Sequence, residues 1–137
     1  MLLGTEVLSD DVDSLLVEKD ATYFVVETSH RIYKNFKQVD TVGLEEAFFI
    51  GEDEYQASII LFNPHLAITT EGKILQMSDT LYNPAIRVKV IYEDSVLQES
   101  WGFYYADAPH FYRDELLGFR LVDFSVSDQY IAVPKKK

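Results

Sequence analysis

Cysteine is missing altogether, so disulfides, thiol nucleophiles and zinc–thiolate sites are excluded. That absence does not fix the compartment, because an exported domain need not carry disulfides. Basic residues are scarce: 12 Lys and Arg against 23 Asp and Glu leave a formal charge of −11. No basic patch is visible, which argues against a nucleic-acid surface. The acidity serves solubility, or attracts a cationic partner. No apolar run approaches the roughly 18 residues of a membrane-spanning helix. Met1-Leu2-Leu3-Gly4 is too short for a signal peptide and lacks a basic start. No Gly-x-Ser-x-Gly elbow and no glycine-rich phosphate loop occurs.

What the chain does have is aromatic and apolar content. Nine Tyr, nine Phe and one Trp make 14% of its 137 residues, and apolar residues make 47%. That length suits a single domain, residues 1–137, that buries roughly 70% of its unfolded surface. Aromatic richness favours strands over helices.

Ser9-Asp10-Asp11-Val12-Asp13 has the form of a helix start, though a loop or edge strand fits nearly as well. Thr22 to Thr28 reads as a strand, and the more polar His30 to Val39 extends or pairs with it. Gly43 to Gly51 is ambiguous between a helical turn and a strand. Tyr55 to Asn63 reads as a strand whose continuously apolar second half suits cover on both faces. A hairpin is expected around Glu71-Gly72.

From Ala85 the alternation is plain. Ile86, Val88, Val90 and Tyr92 share one face; Arg87 and Lys89 take the other. After an acidic turn, Leu97, Glu99, Trp101, Phe103 and Tyr105 share a face on the returning strand. Asp114 to Leu117 is expected to hold one helical turn stopped by Gly118, before strands at Phe119–Val126 and Gln129–Val133. The fold class is therefore all-β, mainly antiparallel: a β-sandwich or open barrel of about eight to ten short strands with little helix.

Candidate sites are few. His30, His65 and His110 lie far apart, and none has a second metal ligand at helical or hairpin spacing. Glu52-Asp53-Glu54 and Asp10-Asp11-Val12-Asp13 do not match a calcium loop and read as solvated turns. No pair of carboxylates stands out for glycoside chemistry. No catalytic residue and no metal ligand is assigned. Trp101, Phe103 and Tyr105 form an aromatic face that suits stacking on a sugar or planar ligand. Their common direction also suits the core, and the alternation favours that reading, with Trp101 as anchor of a central hairpin. Gly102, on the opposite side, permits close approach of another backbone or ring.

The same region carries a family likeness. A turn at Gly72, a strand, Ser78 and Tyr82-Asn83-Pro84-Ala85 lead into the alternating strand. Trp101-Gly102-Phe103 and Pro109-His110-Phe111 follow the acidic turn. This pattern resembles the extracytoplasmic part of ResB-like proteins of cytochrome c biogenesis. Tyr130-Ile131-Ala132-Val133-Pro134-Lys135 resembles the ending that precedes that family's next membrane helix. The likeness covers residues from about 55 to 137. It implies a non-catalytic domain excised from a larger membrane protein, on the extracytoplasmic face. Such a domain would assist cytochrome c assembly beside a CcsA-like membrane partner and apocytochrome c. Haem would belong to the full-length complex, with no cofactor in this domain itself. The basic tail, residues 135–137, would then lie against the membrane. None of the three histidines matches the family's haem-linked ones. The alternative is a stand-alone β-sandwich that binds a ligand or protein through the Trp101 to Tyr105 face; an enzyme with a carboxylate site ranks third.

Overall fold

The computed structural model describes residues 22–52 and 54–126. The acidic amino-terminal stretch, the strand expected at Gln129–Val133 and the lysine tail lie outside them. The described residues form nine strands and no helix. These are β1 (Tyr23–His30), β2 (Lys37–Val42), β3 (Phe48–Ile50), β4 (Tyr55–Asn63), β5 (Leu66–Ile68), β6 (Ile74–Gln76), β7 (Ala85–Tyr92), β8 (Ser95–Phe103) and β9 (Leu117–Ser125). Seven build one sheet in the order β2-β1-β9-β8-β7-β4-β3, and β5 and β6 form a separate hairpin. Every pairing is antiparallel except β8 with β9, which touch as parallel strands at the single pair Arg120 and Phe103. The all-β, mainly antiparallel class holds. The expected helical turn at Asp114–Leu117 does not form: Leu117 already begins β9, and a turn closes with the Glu115 amide donating to the Tyr112 carbonyl at 3.1 Å.

The sheet curls until it is nearly closed and barrel-like. Its two edge strands, β2 and β3, share no ladder; the Gln38 side chain spans between them. Gln38 Nε2 donates to the Phe49 carbonyl at 2.7 Å, and the Gly51 amide donates to Gln38 Oε1 at 2.9 Å. One side-chain amide therefore gives and takes bonds as a peptide unit would in a sheet.

Inside lies a core of β-branched and aromatic side chains, the residue types that fill a pleated surface well. Ile86, Val88 and Val90 of β7 face Phe24 and Val26 of β1 and Leu117, Phe119 and Leu121 of β9 as one cluster of buried residues. Phe62 stacks between Phe24 and Phe124, with ring centroids 5.5 and 5.4 Å away. The apolar run of β4 is not covered on both faces. Its ladder with β7 shifts between Ile59 and Leu61, which makes Ile60 the extra residue of a β-bulge. Ile59 and Phe62 thus both point inward, while Leu61 is exposed.

A second bulge corrects the reading of the β7–β8 hairpin. Glu93 and Asp94 both have positive φ, 51° and 69°, as a type I′ two-residue turn requires. Tyr92 pairs with Ser95 and Ile91 with Val96, but Val90 pairs with Gln98, so Leu97 is the extra residue. In an unbroken register Trp101 would oppose Ile86 on the core side. The bulge sets it opposite Arg87 instead. Gln98, Ser100 and Gly102 face inward and are buried; Glu99, Trp101 and Phe103 face outward. Trp101 is therefore not the core anchor. The inward face of β8 has to be small and polar because β9 comes close: a Cβ on Gly102 would stand 3.1 Å from Phe119 Cβ.

Candidate functional site

The outward face of the β7–β8 hairpin forms the floor of a cleft of about 410 Å3, within the range of roughly 300–1,000 Å3 usual for ligand sites. Arg87, Glu99, Trp101 and Phe103 supply the floor, with Ser100 at its inner margin. The β5–β6 hairpin contributes Ile68, Gly72 and Ile74 as one wall; the segment before β9 contributes His110, Tyr112 and Glu115 as the other.

Each wall is fixed by identifiable bonds. The root of the β5–β6 hairpin is held by two asparagines. Asn63 Nδ2 donates to the Leu75 carbonyl at 3.2 Å, and Asn83 Nδ2 donates to the Leu66 carbonyl at 2.8 Å. His65 Nδ1 and Ser78 Oγ lie 2.9 Å apart. At the tip, Gly72 takes φ 88°, a conformation that favours glycine. The second wall hangs on Arg31. Its amide donates to the Leu116 carbonyl at 2.8 Å, and its guanidinium donates to the carbonyls of Glu115 and Arg113. The same guanidinium lies 5.3 Å from the centre of the Phe111 ring. That ring packs on Gly118, where a Cβ would sit 2.8 Å from it, so this glycine shapes the wall and does not end a helix.

Within the cleft, the Arg87 guanidinium lies 5.2 Å from the Trp101 ring centre, and its Nε is 3.7 Å from Glu99 Oε1. Phe103 meets His110 edge-on at 5.4 Å. Trp101 Nε1 is buried without a hydrogen-bond partner. Beneath the floor runs a polar chain. Gln98 Nε2 donates to Ser100 Oγ at 2.6 Å, and Ser100 Oγ donates to Glu115 Oε1 at 2.8 Å. Gln98 also bonds both backbone groups of Leu117, accepting from its amide at 3.2 Å and donating to its carbonyl at 2.8 Å. Glu115 is thereby tied to the junction where β8 and β9 splay apart.

Of the three aromatic residues singled out in the sequence, the structure brings two together. Trp101 and Phe103 line the cleft, whereas Tyr105 lies beyond the end of β8, is 67% exposed, and packs on Tyr104 at 4.9 Å. The histidines separate by role. His30 Nδ1 accepts from the amides of Ile32 and Tyr33, both at 3.1 Å, and so caps the turn after β1. His65 props the hairpin root, and His110 alone reaches the cleft. Among the described residues no three His, Asp or Glu side chains gather as a metal site. Sequence reasoning missed Arg87, Glu99, Tyr112 and Glu115. A cross-strand partner for Trp101 was the one available signal, and it depended on a register that the bulge alters. Comparison of the chain with family models, curated proteins and solved structures finds no match.

Proposed function

We propose that this chain is a non-catalytic recognition module, with the cleft over Trp101 and Phe103 as its binding site. The observation that carries the reading is the placement of the only tryptophan. It stands half-buried on the outer face of the sheet, on the floor of a walled cavity, beside convergent polar groups. Aromatic floors with a few fixed polar groups are how proteins hold small ligands and partner side chains. Ser100 is no free nucleophile: it is 1% exposed, and its hydroxyl is already shared between Gln98 and Glu115.

The test is Trp101→Ala, with binding of ring compounds and sugars followed by ligand-observed NMR. The variant is expected to stay folded by circular dichroism and to lose binding. Global unfolding of Trp101→Ala would instead restore Trp101 to a core role and sink the reading.

A second reading keeps the ResB-like setting: an extracytoplasmic domain that docks apocytochrome c, haem or a CcsA-like partner. It is favoured by the way the short motifs behind that resemblance adjoin one another. The Pro84 carbonyl accepts from the Tyr104 amide at 3.0 Å, Ile86 pairs with Gly102, and His110 meets Phe103. An acidic chain would attract basic apocytochrome segments by steering, so binding should weaken as salt rises. Binding to apocytochrome peptides that is absent, or indifferent to ionic strength, would count against it.

A further inference from the structure

We propose that the cleft takes an organic cation, an alkylammonium or guanidinium group, with Glu115 as counter-ion and Trp101, Phe103 and Tyr112 as its aromatic lining. This inference rests on the recognition reading and adds the chemical class of the ligand.

The first support is a charge left over. Two carboxylates line the cleft, and Arg87 pairs with one of them, Glu99. Glu115 makes no ion pair among the described residues, where the three pairs are Lys37 and Arg120 with Glu27, and Arg87 with Glu99. Glu115 is half-buried and receives the Ser100 hydroxyl. A carboxylate drawn partly out of water with one neutral donor lacks compensation, and a cation supplies it.

The second support is the aromatic lining. Ring faces attract cations, most strongly the indole. Two of these rings already act that way within the protein: Arg87 lies 5.2 Å from the Trp101 centre, and Arg113 lies 4.9 Å from the Tyr112 centre. The third is the field of the whole chain, whose formal charge of −11 raises the local concentration of cations and repels anions.

The cation has two possible sources, a free quaternary ammonium compound or the side chain of a lysine or arginine in a partner protein. One experiment separates them. Trp101 is the only tryptophan, so its emission reports the cleft directly. The chain is titrated with choline, with the blocked amides of lysine and arginine, and with 3,3-dimethylbutanol, the neutral isostere of choline, at fixed ionic strength. Saturable changes are expected with the cations, and the isostere should bind at least about tenfold more weakly. Glu115→Gln keeps an acceptor for Ser100, so it should leave the melting temperature unchanged while weakening the cations at least about tenfold. Tighter binding of the amino-acid amides assigns a protein partner; tighter binding of choline assigns a free ligand. Equal binding of the isostere, or an unaltered Glu115→Gln, overturns the cation while leaving the recognition reading standing. Failure of every cation, with neutral rings still bound in a Trp101-dependent way, does the same. If neither cations nor neutral rings bind, both readings fall.

Discussion

The nearly closed sheet is completed at two places by the same device, with different stakes. At the β2–β3 seam, Gln38 bridges the Phe49 carbonyl and the Gly51 amide near solvent. At the β8–β9 seam, Gln98 bridges the amide and carbonyl of Leu117, which is fully buried. In both, a side-chain amide stands where a strand's peptide would. At the outer seam, water can replace the glutamine. At the inner one it cannot, and the amide also anchors Ser100 and, through it, Glu115. The contrast shows one chemical group serving closure alone in one place, and closure together with the architecture of a site in the other.

That contrast can be broken by mutation. Gln98→Ala should have the largest effect. It strands two buried backbone groups at about 1–3 kcal/mol each, so a loss of about 3–5 kcal/mol is expected in denaturant unfolding. A loss below about 1 kcal/mol would mean that water enters the inner seam and that the two seams are alike. Next, Gly102→Ala forces a methyl against Phe119, where the space is 3.1 Å, and should cost about 1–3 kcal/mol. It should also disturb the cleft, visible as a shift in Trp101 emission. Gln38→Ala should cost only about 0.5–1.5 kcal/mol, with faster amide exchange at Gly51 as the local signature.

The smallest effect sharpens the outer seam. Tyr55 pairs with Ile50, next to the Gly51 that Gln38 holds. Burial first, then the Glu54 carboxylate and the neighbouring Tyr92 and Tyr33, push the Tyr55 hydroxyl above its ordinary value of 10.0. The folded protein thus keeps this proton to higher pH than the unfolded chain does. Its contribution to stability is complete below about pH 10 and is lost as pH rises through the folded value. Phenolate absorbance should show Tyr55 titrating late together with Tyr92, whose hydroxyl is pushed up chiefly by the Glu93 carboxylate, and Gln38→Ala should bring Tyr55 back towards 10.0 by letting water in. No change would show that the seam does not shelter Tyr55.

The strands were legible because their residues are. Tyr23 to His30, Tyr55 to Asn63 and Ala85 to Tyr92 carry the β-branched and aromatic runs that a pleated, half-buried surface selects. The β5–β6 hairpin was legible from its Glu71-Gly72 turn. The faces of β8 were not, because a bulge at Leu97 has no residue signature, and leucine there looks like any other strand residue. Tyr105 was misplaced because alternation was carried two residues past the end of β8 at Phe103. The floor of the cleft was half visible as Trp101 and Phe103. Its far wall was invisible, since Tyr112 and Glu115 reach the cleft only because Arg31, some eighty positions earlier, grips the carbonyls around them. Nothing in the sequence singles out Gln38 or Gln98, and only the closing of the sheet gave their amides partners.

The extra residue in β8 also sets what kind of change the hairpin tolerates. Deleting Leu97 would remove no contact of the core, for that side chain is exposed. It would also leave the facing of everything after it unchanged, for Gln98 would still meet Val90 and Trp101 would still meet Arg87, now in a regular ladder. Deleting Glu99 instead would turn Trp101 and Phe103 towards Phe119 and push Ser100 out into solvent. There is no room inside for an indole where glycine already stands 3.1 Å from its neighbour. The length of the strand past the bulge is therefore guarded more tightly than the bulge itself: position 97 should tolerate substitution and even deletion, whereas a one-residue insertion or deletion between Gln98 and Phe103 should not be tolerated.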